Sequence, residues 1–144
     1  MHSAILQPVV VLIGWTLVML LWMLVTRLPA MSASGIDLAK LRGTKPADAD
    51  MGLPAKIQWK AHNYNHLHEQ PVLFYAVCLV IAFTGTGDGV NVWIAWAYVA
   101  LRIAHSLWQA LVNKVSVRFA LFLLASLCLV ALTLHAAMAV FGAF

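Results

Sequence analysis

Residues 5–26 read ILQPVVVLIGWTLVMLLWMLVT, an apolar run without a single charged side chain, and Arg27 follows it directly. A helix of about 20 such residues is ~30 Å long, which matches the hydrocarbon core of a bilayer. The run is longer than the apolar centre of a typical signal peptide, and no Lys or Arg precedes it. We therefore expect a retained membrane helix rather than a cleaved leader.

Composition extends this expectation to the whole chain. The protein has 144 residues, of which 63% are hydrophobic and 10% are charged. A soluble domain carries about 25% charged residues, so the composition excludes a soluble enzyme, a nucleic-acid-binding domain and a disordered protein. We predict an all-α membrane protein with one four-helix transmembrane domain over residues 1–144, its spans lying at about 5–26, 57–84, 90–112 and 118–141.

Basic residues are distributed unevenly among the loops. They lie in or beside the first loop, residues 28–54, and around the third, whereas the second loop, residues 84–89, has none. The residues concerned are Arg27, Lys40, Arg42, Lys45, Lys56, Lys60, Lys114 and Arg118. The positive-inside rule predicts that loops one and three are cytoplasmic and that both termini of this multi-pass protein lie outside.

Two spans carry a polar stripe at helical spacing, with polar residues at i, i+4, i+7 and i+11. The stripe on the second span is Gln58, His62, Asn65 and Glu69, and the stripe on the third is Tyr98, Arg102, His105 and Gln109, extended by Asn113. A single Arg facing lipid at the bilayer centre costs about 2.5–3.5 kcal/mol. Both stripes are therefore expected to face the bundle interior or a neighbouring subunit.

Helix rise places the two stripes at matching depths. Because the second and third spans are antiparallel, Glu69 falls level with His105, and Asn65 falls level with Gln109. Arg102 is then within reach of Glu69. The pattern predicts a polar, partly cationic pocket that opens to the cytoplasm. The alternative is that these groups only join helices through interhelical hydrogen bonds.

The second span also offers a set of metal ligands. His62, His66 and Glu69 place two imidazoles and a carboxylate on adjacent helical turns, a donor set that suits zinc or iron. Only His68 and His105 are near enough to add further ligands. A metal-binding membrane enzyme is therefore a separate hypothesis for this stretch.

The same stretch contains a recognisable motif. Residues 60–75, KAHNYNHLHEQPVLFY, resemble the second-helix signature of the MAPEG family (membrane-associated proteins in eicosanoid and glutathione metabolism). That signature runs from a basic residue through Asn and Glu to Pro and an aromatic residue. Positions similar to those of the family's third and fourth helices are held by Tyr98, Arg102, His105, Asn113 and Arg118. Length, four spans and a basic first loop agree, so the resemblance covers essentially the whole chain.

The resemblance implies a homotrimer of four-helix protomers that binds glutathione, as co-substrate, between adjacent subunits in the cytoplasmic half of the membrane. It assigns to Arg118 the catalytic role of stabilising the glutathione thiolate, although position alone also fits an Arg that faces lipid phosphates. On this resemblance, the residues expected to bind glutathione are Lys60, His62, Asn65, His66, Glu69, Tyr98, Arg102, His105, Gln109 and Asn113.

Some positions depart from the family pattern. Lys60 stands where many members carry Arg, and Gln109 stands where eicosanoid-metabolising members have Tyr. Two registers of the motif are open, with its Asn and Glu matched either to Asn65 and His68 or to His66 and Glu69. These departures indicate a divergent, bacterial-type branch, and hence the inner membrane of a bacterium.

Two functions from different classes follow. The first is a glutathione-dependent transferase or peroxidase whose lipophilic substrate partitions from the bilayer. The second is a non-catalytic accessory protein of the same fold that binds lipid or another membrane protein. The partners expected are further copies of the chain, membrane lipid and a lipophilic small molecule, with no nucleic acid.

Overall fold

The structure is a computed structural model that describes residues 3–37, 39–43 and 52–142. The described residues form helices joined by turns. In chain order the helices are α1 (Leu6–Ala33), α2 (Ala55–His66), α3 (Gln70–Phe83), α4 (Val90–Leu111) and α5 (Val115–Phe141). The predicted all-helical fold is confirmed.

Within the described residues, three stretches are long and apolar enough to cross a membrane. They are α1, the pair α2 and α3 taken together over Ala55–Phe83, and α5. The helix α4 has 22 residues, close to the ~20 that a span needs, but it carries Arg102, His105 and Gln109. These side chains are 1%, 3% and 3% exposed, so α4 turns its most polar side inward and away from lipid.

The second span is broken near its centre. α2 ends at His66 and α3 begins at Gln70, where the sequence predicts one helix over about 57–84. Pro71 explains the break, because it has no N–H to donate to the Leu67 carbonyl and its ring clashes with that carbonyl in a continuous helix. The prediction of one continuous helix is therefore corrected to two helices within one span.

The apolar face of α3 sets the rotation of the whole second span. The buried residues that recur at helical spacing are Leu67, Pro71, Phe74, Cys78 and Ile81. One turn earlier, the same face reaches Asn63, which is 1% exposed. His62, Asn65 and Glu69 consequently lie on the exposed side of the single chain. The predicted pairing of that stripe with the stripe on α4 is wrong.

Packing between α3 and α4 centres on an aromatic pair. The Phe74 ring, which is fully buried, stacks on the Tyr98 ring with centroids 4.3 Å apart and planes 14° apart. The Tyr98 hydroxyl donates to Gln70 Oε1 at 3.4 Å, and Gln70 Nε2 donates to Ser126 Oγ of α5 at 2.7 Å. These two hydrogen bonds join three helices at the level of the break.

The turn between α3 and α4 closes one end of the bundle. The Ile5 N–H donates to the Gly87 carbonyl at 3.0 Å, which brings the start of α1 against this turn. Asn91, in the first turn of α4, donates from Nδ2 to the Thr86 carbonyl at 2.8 Å, and its Oδ1 lies 2.6 Å from His135 Nδ1 of α5. The turn is therefore fixed to α1, α4 and α5.

At the other end, the first loop begins later than predicted. The helix α1 continues through Pro29 to Ala33, whereas the sequence predicts a loop over 28–54. Residues 38 and 44–51 of that predicted loop lie outside the described residues.

Candidate binding cavity at the start of α5

A cavity of about 230 Å³ lies where α2, α4 and the first turns of α5 meet. It is lined by His66, His105, Val115, Arg118, Phe119 and Phe122. The lining therefore combines one guanidinium and two imidazole groups with apolar and aromatic walls. Three of the predicted site residues, one from each of the three helices, meet here.

Arg118 is held by the turn that precedes α5. Its Nη1 donates to Asn113 Oδ1 at 2.6 Å. Asn113 has the left-handed backbone conformation, φ 57°, which Asn tolerates better than most residues, and its N–H donates to the Trp108 carbonyl at 2.7 Å. Arg118 Nε is buried and has no hydrogen-bond partner among the described residues. Arg118 thus lies in the cavity lining with its guanidinium held by Asn113.

His66 is held from two sides. Its Nδ1 lies 2.7 Å from Glu69 Oε2, and its backbone carbonyl accepts a hydrogen bond from Arg102 Nη2 at 3.2 Å. The His66 ring lies 4.9 Å, centroid to centroid, from the His105 ring and 6.0 Å from the Phe122 ring. Backbone and side chain of His66 are both anchored at the edge of the cavity.

Arg102 caps α2, whereas the sequence predicts that it reaches the Glu69 carboxylate. The break after His66 leaves a helix C-terminus whose carbonyls carry partial negative charge, and a buried cation stabilises that end. The Nε and Nη1 atoms of Arg102 are buried and have no partner within the described part of the chain. Arg102 is 1% exposed and does not line the cavity, so its contact with the His66 carbonyl holds the end of α2 from inside the bundle.

Other predicted ligands lie outside the cavity lining. Lys60 Nζ donates to the Lys56 carbonyl at 2.8 Å and lies 5.3 Å from the centroid of the Trp22 ring. Gln109 is buried, and its Oε1 has no partner among the residues that the structure describes. Tyr98 lies in the aromatic pair with Phe74. None of these three side chains contributes to the lining of the cavity in one chain.

The geometry of the described residues does not provide the set of ligands that the metal-binding hypothesis requires. Over residues 3–37, 39–43 and 52–142, no group of three His, Cys, Asp or Glu side chains is arranged to hold a metal ion. His66 is paired with Glu69, and His68 Nδ1 donates to the Tyr64 carbonyl at 2.9 Å. The side chains of His66 and His68 are therefore engaged in contacts within the second span.

Sequence reasoning missed the polar contact that joins α1, α2 and α4. Ser106 Oγ of α4 accepts hydrogen bonds from Trp15 Nε1 at 3.0 Å and from Asn63 Nδ2 at 2.7 Å. The signal for Asn63 was present, because extending the apolar face of α3 back by one turn reaches it. No comparable pattern in the sequence marks Trp15.

The described residues form a helical protein with several apolar helices, consistent with a multi-pass membrane protein, and a small cavity lined by one guanidinium and two imidazole groups. The family model of the MAPEG family matches residues 5–138. The chain therefore belongs to the MAPEG family, and the resemblance found in the second span is confirmed. A search of the curated proteins and a search of the solved structures each found no match.

Proposed function

We propose that the protein is a glutathione-dependent transferase or peroxidase that acts on a lipophilic substrate at the membrane. The family includes glutathione transferases and peroxidases as well as non-catalytic members. The observation that carries the proposal is Arg118, which lines the cavity beside His66 and His105 with Nε unpartnered among the described residues.

The lining suits both glutathione and a lipophilic substrate. Glutathione supplies the nucleophilic thiol and two carboxylates. A nearby guanidinium favours the anionic form of a thiol, so Arg118 lowers the pKa of the bound co-substrate. Phe119 and Phe122 of the lining offer an apolar wall to a lipophilic substrate.

The cavity of about 230 Å³ is smaller than the ~300–1,000 Å³ typical of a ligand pocket. We therefore infer that a neighbouring chain completes the site. The positive-inside distribution supports an orientation in which the cavity faces the cytoplasm, where glutathione is the main thiol buffer. The bacterial inner membrane is the membrane that we propose.

The proposed activity is tested on purified protein in mild detergent. We expect glutathione-dependent conjugation of chlorodinitrobenzene, or reduction of cumene hydroperoxide, above the uncatalysed rate, together with glutathione binding by calorimetry. Absence of turnover with both substrates, together with no calorimetric binding, contradicts the proposal.

We further propose that the protein is a homotrimer. His62, Asn65 and Glu69 are exposed in the single chain, and polar groups within a membrane span must face protein or water. A neighbouring copy of the chain would cover this exposed polar side. Native mass spectrometry from mild detergent is expected to show three copies, and a spectrum with monomer alone contradicts the assembly.

A non-catalytic accessory role is the second candidate. It is favoured by Lys60, a predicted ligand that is instead engaged with Lys56 and Trp22. It is also favoured by an apolar groove of about 460 Å³ between α3 and α5, whose lining includes Ala76 and Ala137. A stoichiometric membrane-protein partner or bound lipid in a mild-detergent pulldown, with no glutathione turnover, would establish this role.

A further inference from the structure

Of the three histidines in the second span, only one lines the cavity. His66 belongs to the lining, whereas His62 and His68 lie on the exposed side of the chain. The His66 side chain is 19% exposed. Most of the side chain is therefore enclosed by protein.

Glu69 determines which nitrogen of His66 carries the hydrogen. The Nδ1 atom lies 2.7 Å from Glu69 Oε2, and an ionised carboxylate can only accept a hydrogen bond. Nδ1 is therefore the donor, and Nε2 of the neutral ring holds a lone pair. A ring in this state accepts a proton at Nε2, while the carboxylate faces the positive charge that forms.

The charged and titratable groups around the His66 ring come from three elements. His105 and Arg102 face it from α4, Arg118 faces it from α5, and Glu69 belongs to its own span. Adding a positive charge beside two guanidinium groups is costly unless an anion offsets it. Glu69 is the anion beside His66, and its carboxylate faces the positive charge that forms on the ring when Nε2 accepts a proton.

We propose that His66 is the general base of the glutathione reaction and that Glu69 is its positioning residue, an inference that rests on the proposed function. The proton moves from the thiol sulfur to Nε2, and the sulfur keeps the electron pair. As the sulfur bonds to the carbon of an aryl halide, the halide leaves as an anion and Nε2 returns its proton to water. His66 takes the proton, and Arg118 stabilises the negative charge.

The test is the pH dependence of kcat/KM for chlorodinitrobenzene conjugation at saturating glutathione. In His66→Ala, kcat/KM is expected to fall about 100-fold near neutral pH. It should rise again as increasing pH supplies hydroxide, and it should also rise when imidazole is added. In Glu69→Gln, kcat/KM is expected to fall less, because the uncharged amide oxygen of Gln still accepts the hydrogen bond from His66 Nδ1. His135→Gln, at a histidine of α5 that contacts Asn91 at the other end of the bundle, is the matched control with a wild-type profile.

The outcomes separate the two proposals. A wild-type profile and no imidazole effect in His66→Ala, with wild-type protein turning over, overturns the base and leaves the proposed function standing. Absence of both turnover and glutathione binding in wild-type protein overturns both. Because Gln has the same size and shape as Glu, Glu69→Gln leaves the packing intact, and an unchanged pH profile in this variant overturns the positioning role.

Discussion

Replacing Arg118 with Ala is expected to lower glutathione turnover by about 100-fold, comparable with the loss of one donor from an oxyanion site. The guanidinium lies in the cavity lining and is held there by Asn113 at 2.6 Å. Without it, bound glutathione has a higher thiol pKa and less of it is ionised at neutral pH. Folding and assembly should be retained, because the side chain is only partly buried at the start of a helix.

The measurement is the thiolate absorbance of bound glutathione against pH. The Arg118→Ala curve is expected to shift to higher pH, and Arg118→Lys is expected to fall between, since a point charge replaces a planar set of donors. Lys114→Ala is the matched control, because Lys114 is an exposed cation in the same turn. Identical titrations in all the proteins would remove Arg118 from the mechanism.

Replacing Phe74 with Ala is expected to cause the largest loss of stability, about 3 kcal/mol, at the lower end of the range for buried Phe→Ala changes. Phe74 is 0% exposed, and its ring stacks on Tyr98 with centroids 4.3 Å apart. Lipid tails solvate apolar groups well, so helices in a membrane are held by close packing rather than by exclusion of water. The cavity left by the ring therefore removes contacts that lipid does not replace.

Unfolding in detergent with denaturant, followed by circular dichroism, measures this loss. Phe83→Ala is the control, because Phe83 is 89% exposed and its removal should change the free energy of unfolding little. Phe74→Leu should lie between, since it keeps part of the volume. Equal stabilities of the Phe74→Ala and Phe83→Ala proteins would show that the aromatic pair does not hold α3 against α4.

The fold could be predicted where hydrophobicity alone determines it. The apolar runs that became α1 and α5 are long and uncharged, and their spans follow directly from bilayer thickness. The break in the second span was also encoded, in Pro71, but the apolar residues on both sides of it suggested one helix. Hydropathy alone does not reveal the effect of Pro71, because this residue changes the backbone hydrogen bonding of the span and not its hydrophobicity.

The site was predicted in part. His105 and Arg118 were singled out from spacing and resemblance, and both line the cavity. His66 of the second span is also a predicted site residue that lines the cavity, but the sequence predicts that the stripe of Gln58, His62, Asn65 and Glu69 faces α4. The apolar side of α3 instead sets the rotation, which turns His66 toward α4 and leaves Asn65 exposed. The rotation of the second span is therefore determined by burial of the large apolar side chains of α3 and not by alignment of its polar side chains with those of α4.

The short connection between α4 and α5 turns at Asn113, whose backbone is left-handed, and it differs from an ordinary loop in how far its length is fixed. Loops ordinarily tolerate insertions and deletions better than the helices they join. Here the side-chain oxygen of Asn113 accepts a hydrogen bond from Arg118. The number of residues between Asn113 and Arg118 therefore determines where Arg118 lies in the cavity. One added residue would rotate the helix by about 100° relative to the turn, at 3.6 residues per turn. Among relatives of this protein, the length of this connection should vary as little as the residues in the cavity.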